Sequence, residues 1–324
     1  MDTLTKPISA PRRRTTADTV YPILLLVSVT HLLNDMMQSV IPAVYPLLKA
    51  KFGFSFAQIG LITLVFQMTS SILQPFVGRY ADRHPRPYSL AAGMCFTLAG
   101  LFALALAPGF APILLAVALI GWGSSIFHPE SSRVAQLASG GRKGLAQSIF
   151  QVGGNAGSAF GPLLAALVVI PYGQTSIMWF APAALLAIGI LLRIGNWYKR
   201  QLTAATAAPA TATAAAAELP RRKIRRALLI LTVLVFSKYF YIACMTNYFT
   251  FFLMDKFAFS VQDAQYSLFA FLAASAAGTV IGGPLGDRIG RKYVIWGSIL
   301  GAAPFALMLP YAGSGGAVAA QVYV

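Results

Sequence analysis

This sequence is short of charge. Only 10% of its 324 residues are charged and nine are acidic, where a soluble domain carries roughly 25% charged residues. An ordinary soluble domain is therefore excluded. Cysteine is nearly absent as well. Cys95 and Cys244 both fall inside apolar runs with no metal-ligand spacing around them, which argues against a disulfide framework and a thiolate metal centre. No catalytic constellation or cofactor motif occurs along the chain, so neither an enzyme nor a cofactor is expected. The amino-terminal stretch also lacks the apolar core of a signal peptide. Residues 1–19 are mostly polar and include Arg12, Arg13 and Arg14, and they read as a cytoplasmic tail rather than a cleaved leader.

Apolar residues are what is abundant. They make up 57% of the chain, with a mean hydropathy of +0.68. Several runs exceed the roughly 20 apolar residues that cross a bilayer core, so the class is all-α, a polytopic helical membrane protein. Six spans are expected near residues 20–48, 57–77, 88–107, 112–134, 145–170 and 177–197. Segment 198–226 then turns to Ala, Thr and Pro and closes on Arg221, Arg222, Lys223, Arg225 and Arg226. It has no apolar pattern to bury and reads as a flexible linker. Three further spans are expected near 227–254, 266–285 and 292–311. The implied organisation is a tail over 1–19, a six-helix bundle over 20–197, a cytoplasmic linker over 198–226 and a partial second bundle over 227–324.

The net charge of +16 sits mostly in short loops between spans. The tail, Arg79, Arg83, Arg86, Arg133, Arg142, Lys143, the linker, Arg288, Arg291 and Lys292 fall on one side; Lys49, Lys51 and Lys256 fall on the other. The bias of Lys and Arg toward the cytoplasm places the amino terminus and linker there. Charge distributed in this way favours membrane orientation over a nucleic-acid partner.

One loop pattern occurs twice. Gly78, Asp82, Arg83 and Arg86 in the first copy answer Gly283, Asp287, Arg288 and Arg291 in the second, at an offset of 205 residues. The second copy also has Gly290 and Lys292, where the first has Pro85 and Pro87. Such an echo between spans indicates two related halves. Either aspartate can satisfy helix-end N–H groups or pair with a nearby Arg, latching one conformation at the rim. The bland alternative is that the arginines only set orientation. On the fifth span Gly153, Gly157 and Gly161 recur every fourth residue and Pro162 follows. That makes a smooth strip for close helix packing, with a bend beyond it.

At these motifs the sequence resembles the major facilitator superfamily. The glycine strip is similar to its antiporter signature, although Ala165 and Ala166 replace the terminal glycines. The fourth span keeps Gly121 and Gly123 of another superfamily motif but has Val117 where that motif places Arg. A narrower likeness lies in His31-Leu-Leu-Asn34-Asp35, in Phe127-His128-Pro129-Glu130, in Gln147 to Asn155 and in Ser237-Lys238-Tyr239-Phe240-Tyr241. These segments resemble the fosmidomycin resistance proteins, bacterial inner-membrane drug exporters. The resemblance implies alternating access in a multi-pass inner-membrane protein and export of a small anionic phosphonate against the proton gradient. The expected partners are that anion, protons and the lipid bilayer, with the chain acting as a monomer. The superfamily has two six-helix halves, whereas about nine helices are readable here, so the second half is expected to be incomplete. A remnant or interaction partner that does not transport is the rival expectation.

Ionisable groups at membrane depth cost roughly 2.5–3.5 kcal/mol on insertion scales, and each needs a reason. His31, Asp35, Gln38 and Pro42 share one face of the first span, so Asp35 can carry a proton into a central cavity or make a structural hydrogen bond. Glu130 and Arg133, about one turn apart, are a gate or coupling pair, or else an interfacial salt bridge. His128 and Glu130 supply two candidate ligands with no third nearby in sequence, and no metal is expected. Lys238 and Tyr241 can seat an anion, or Lys238 can pair permanently with Asp35 or Glu130. Gln147, Gln151 and Asn155 lie four apart, to line a wet cavity or to hydrogen-bond between helices.

Overall fold

The computed structural model describes residues 18–207, 221–311 and 313. Most of the amino-terminal tail, linker residues 208–220 and residues 314–324 lie outside the described residues. Described residues are almost wholly helical, and eight of the helices are long and apolar enough to cross a membrane. This follows from the physics of the bilayer, where each backbone N–H and C=O must find its partner within its own helix.

The first span is α1 (Tyr21–Ala43) followed by α2 (Tyr45–Phe52). The break at Val44 lies between Pro42 and Pro46, neither of which can donate to the helical ladder. The second is α3 (Phe56–Gln67), a π-helical turn over Met68–Ile72, and α4 (Gln74–Arg83). Ser55 opens α3 with a reciprocal cap, accepting from the Gln58 N–H while the Gln58 side chain accepts from the Ser55 N–H. Next come α5 (Ser89–Leu106) and α6 (Phe110–Leu137), the latter interrupted by Pro129. The fifth span is α7 (Lys143–Leu164), a π-helical turn over Ala165–Val169 and the single turn α8 (Ile170–Tyr172). The π-turn begins three residues after Pro162, within the turn where a proline withdraws a donor from the ladder. A 3-10 segment over Gln174–Phe180 leads into α9 (Ala181–Ala207).

Beyond the linker stand α10 (Arg221–Phe257), α11 (Val261–Ile289) and α12 (Arg291–Met308). The segment expected as linker is thus helical at both ends, up to Ala207 and again from Arg221. Ala, Lys and Arg are strong helix formers, and basic side chains can continue a helix past the bilayer into water. Six helices before the linker and two after it are long and apolar enough to span, in the order the apolar runs predict, and the ninth expected span appears as a shorter apolar helix, Lys292–Met308.

The first half owes its packing to the close pairing of α1 with α7 and of α5 with α6. A Cβ placed on Gly153 would collide with the Ser28 carbonyl, on Gly157 with the Leu32 carbonyl, and on Gly161 with the Ser39 side chain. Bare backbone on α7 is therefore what allows α1 to lie against it. Ser28 Oγ donates across the seam to the Ile149 carbonyl at 2.7 Å. Around the seam Leu24, Val27, Met37, Ile41, Phe127 and Phe150 are buried in one core. Outward-facing residues such as Leu61, Leu64, Leu185 and Leu186 stay exposed, as a lipid-facing surface requires.

The second half touches the first mainly away from the basic loops. Gln265 Nε2 donates to the Ala43 carbonyl at 2.7 Å and Thr63 Oγ1 to Asn247 Oδ1 at 2.9 Å. Phe56 packs edge-on to Phe251, and Gln262 Nε2 reaches the Ala166 carbonyl at 3.3 Å. The first half of α10, in contrast, is exposed.

The seam gives a direct prediction. Gly157→Leu forces α1 off α7 and is expected to destabilise the protein by about 1–3 kcal/mol, the usual scale of overpacking. Gly189→Ala, where an added Cβ meets nothing within 4 Å, is expected to leave stability unchanged or slightly raised. Unfolding in detergent, followed by fluorescence, measures both.

Candidate functional site

Two polar clusters interrupt the apolar interior. The first is built on α1. His31 is 2% exposed and stacks on Phe150 of α7 with ring centroids 4.0 Å apart. Its Nδ1 lies 2.7 Å from the Phe150 carbonyl oxygen. A carbonyl can only accept, so Nδ1 carries a hydrogen and the ring turns Nε2 toward Asp35. That nitrogen is 3.2 Å from Asp35 Oδ2, one helical turn on. His128 of α6 approaches from the other side, with Nε2 3.7 Å from Asp35 Oδ1. Asn34 Nδ2 donates to the same oxygen at 3.0 Å. The carboxyl group thus lies between two imidazoles.

Gly154 makes room for this arrangement. A Cβ there would collide with His31 and approach Asp35 Oδ2 at 2.9 Å. The strip Gly153, Gly157 and Gly161 admits the backbone of α1, and Gly154 beside it admits the site. Gln38, on the same face of α1, buries its Nε2 without an acceptor among the described residues.

The second cluster lies at the basic end. Arg133 Nη1 donates to the Ala81 carbonyl at 2.7 Å and lies 3.4 Å from the Tyr198 hydroxyl. Its Nη2 binds the Asp82 carboxylate. Glu130 Oε1 is 3.5 Å from Arg133 Nη1, an ion pair rather than a hydrogen bond, and Ser89 Oγ donates to Oε2 at 3.2 Å. One guanidinium therefore ties α4, α6 and α9 together, and Glu130 adds α5. The Glu130–Arg133 pair and the loop aspartate, expected as separate devices, form a single network.

The remaining candidates fall as follows. Gly78 leaves a Cβ-sized approach of 3.4 Å to Pro129. Arg83 is exposed, and Arg86 Nη2 lies 3.4 Å from the Tyr80 hydroxyl. Gln147 accepts from Ser132 Oγ of α6 at 3.3 Å, and Gln151 Nε2 donates to Asn155 Oδ1 at 3.1 Å along α7. Lys238 is exposed, with its ammonium 5.6 Å from the ring centre of Tyr239. The expected permanent pairing of Lys238 with Asp35 or Glu130 is absent among the described ion pairs. Asp35 is served by histidines and Glu130 by Arg133 instead. Tyr241 packs against Phe271. In the second loop motif Arg288 and Lys292 are exposed and Gly290 adopts φ 101°, a conformation that suits glycine. The side chains of Gly283, Asp287 and Arg291 lie outside the described residues.

Residues 27–324 match the profile of the Major Facilitator Superfamily. The chain belongs to that superfamily. It is a multi-pass membrane transporter of small substrates, not an enzyme. Among its relatives in the superfamily, the fosmidomycin resistance protein of Escherichia coli (strain K12) is 59% identical over 308 residues, covering 95% of this chain and 75% of that protein. An uncharacterised transporter of the superfamily from Bacillus subtilis (strain 168) is 44% identical over 311 residues, covering 94% of this chain and 76% of the relative. The fold is shared with distant superfamily members. A bacterial homologue of the human lysosomal transporter Spinster, inward-facing and occupied, has a TM-score of 0.70 at 17% identity, over 95% of this chain and 71% of that one. A D-xylose–proton symporter has a TM-score of 0.68 at 16% identity, over 94% of this chain and 79% of that one.

Spacing along the chain did not single out Gly154, and it weighed His128 only as a ligand beside Glu130, not as a partner of Asp35. The segment motifs contained both, but their roles appear only when α6 and α7 close on α1. The Arg133 network carries its own test. Glu130 is 1% exposed, so Arg133→Gln strands a buried carboxylate and is expected to cost about 3–5 kcal/mol. Glu130→Gln is expected to cost less, and the double variant to recover part of the loss. A double-variant cycle of unfolding in detergent measures the coupling, expected at roughly 1–3 kcal/mol.

Proposed function

We propose that this transporter is a proton-coupled exporter of small anionic compounds, fosmidomycin among them, in the bacterial inner membrane. The observation that carries the proposal is the carboxyl group of Asp35 held between His31 and His128 at membrane depth. With Nδ1 of His31 donating to Phe150, Nε2 and Asp35 Oδ2 are left to share one proton. The proton sits on either partner, as imidazole with carboxylic acid or as imidazolium with carboxylate. His128 offers it a second acceptor, so a proton can enter or leave the cluster without stranding a bare charge.

The orientation follows from loop charge. Arg79, Arg83, Arg86, Arg142 and Lys143 put the basic end in the cytoplasm. The hydrogen bonds between the halves lie toward the other end, at Thr63, Ala43 and Ala166. The cytoplasmic side is then the open one, and a cytosolic anion can reach the centre. There Gln38 Nε2 has an unspent donor. Lys238 lies on the helix face it shares with Tyr241 and Met245, at seven-residue spacing, and supplies positive charge for a phosphonate. Loss of the proton to the cytoplasm resets the cluster after the anion has left on the far side. The Arg133 network holds the cytoplasmic rim of the first half together while the halves rock.

The 59% identity to a fosmidomycin resistance protein supports the substrate class. The test uses purified protein in liposomes bearing a pH gradient. Wild type is expected to move fosmidomycin against its concentration gradient and to release a counter-flow of protons. Asp35→Asn is expected to abolish gradient-driven transport while retaining substrate binding. Lys238→Gln is expected to weaken binding about tenfold or more, the scale of one charge-assisted hydrogen bond. Gradient-driven transport surviving intact in Asp35→Asn would remove this cluster from the coupling path.

A further inference from the structure

We infer that His31, Asp35 and His128 also form a binding site for one divalent first-row transition-metal ion of the zinc class. The three side chains each turn a ligand atom inward, and these atoms all lie within 4.8 Å of one another. Ligands bound about 2.0–2.1 Å from a tetrahedral zinc ion stand about 3.3–3.4 Å apart. His31 Nε2 stands 3.2 Å from Asp35 Oδ2 and His128 Nε2 3.7 Å from Asp35 Oδ1, so each imidazole is already near that edge length from one of the two carboxylate oxygens. A small turn of the carboxylate and a closer approach of His128 bring the three ligand atoms round one ion. His128, whose side chain is 26% exposed, has the freedom to make that approach.

The surroundings suit a metal-bound histidine. The Phe150 carbonyl takes the Nδ1 hydrogen of His31, which leaves the Nε2 lone pair for the ion. An outer backbone carbonyl of this kind fixes both tautomer and ring orientation. Gly154 leaves the space beside His31 and Asp35 that a side chain would fill. Among the described residues Asp35 pairs with no Lys or Arg, so no permanent cation occupies the place of the ion. Two imidazoles and one carboxylate favour a borderline transition metal over magnesium or calcium, which prefer all-oxygen shells. A fourth coordination position remains open on the partly exposed side of Asp35 and His128, for water or an anionic oxygen.

A bound ion takes the position of the proton that His31 and Asp35 share, and if the cluster couples transport the ion blocks it. That consequence rests on the proposed function; the site does not. The test therefore reads binding on tag-free protein in detergent, whether or not it transports. Zn2+ titrated by calorimetry, and Co2+ followed by its visible absorption, are each expected to saturate at one ion per chain. His128→Ala and Asp35→Asn are each expected to weaken binding at least tenfold, roughly the least effect seen even for outer-shell partners. The chain has three histidines, and His84→Ala, which removes the one outside the cluster, is expected to change nothing. X-ray absorption at the zinc edge of the wild-type complex is expected to count two imidazoles, a readout that needs no variant. Absence of saturable binding, binding undiminished in His128→Ala and Asp35→Asn, loss with His84→Ala, or fewer than two imidazoles at the zinc would each overturn the site.

Discussion

The backbone of α1 rests on the glycines of α7, and the polar centre of the molecule depends on that contact. Side chains at Gly153 and Gly157 would meet carbonyl groups of α1, and one at Gly154 would meet His31. Without the close approach the Phe150 carbonyl could not stand 2.7 Å from His31 Nδ1. The imidazole would lose its fixed tautomer, and Nε2 would no longer be aimed at Asp35. In a membrane no hydrophobic effect draws helices together, so backbone proximity and a few interhelical hydrogen bonds carry the association. Here the same proximity that stabilises the bundle also orients the chemistry. A glycine strip commonly read as packing alone is, at Gly154, part of the site.

A second consequence concerns charge. Among the described residues of the first half, the ion pairs gather in two clusters, and each carboxylate has its partner inside its own cluster. Asp35 has its imidazoles, and Glu130 and Asp82 share Arg133. Their roles differ because their partners differ. A guanidinium keeps its proton under all ordinary conditions, so the Arg133 network can only break or form as a unit. An imidazole can gain or give up a proton where a guanidinium cannot, which makes the Asp35 cluster the one able to change charge in place. One is suited to fastening helices, the other to accepting a proton or an ion.

Much of this was legible in the sequence, for identifiable reasons. Apolar runs set the spans because the bilayer permits little else, and the glycine spacing on the fifth span announced a close helix contact. His31 and Asp35, four apart, had to share a helix face. The pairing of His128 with them was not legible. It joins residues 93 apart through the packing of α6 on α1, and no periodicity encodes that distance. Looking along one helix from His128 led to Glu130, two residues on, and residues so spaced point to different sides. Glu130 faces Ser89 and Arg133 instead. Pairing with a carboxylate was the alternative expectation for Lys238, beside that of an anion seat. Both carboxylates had nearer partners within the first half, which is what left Lys238 exposed.

The distribution of bonds within and between halves bears on how such a molecule could move. Within the first half the joints are dense: the glycine seam, the His31–Phe150 bond and the Arg133 network together engage α1, α4, α5, α6, α7 and α9. Between halves the described links are apolar packing of α11 along α7, where Ala159 joins the core around Met245, Phe249 and Leu268, with ring contacts such as Phe160 on Phe269 and neutral hydrogen bonds such as Gln265 to Ala43. A neutral hydrogen bond contributes about 1 kcal/mol net, and no described ion pair joins the halves, so no buried charge has to be unpaired to separate them. A half fastened internally in this way is suited to move as a body in the proposed transport, with the Asp35 cluster inside it. Because every ligand of that cluster comes from the first half, its internal distances need not change as the halves rock. In the proposed transport what changes is the side of the membrane the cluster faces, so a proton or ion held there would be carried by the motion without being gripped or released by it.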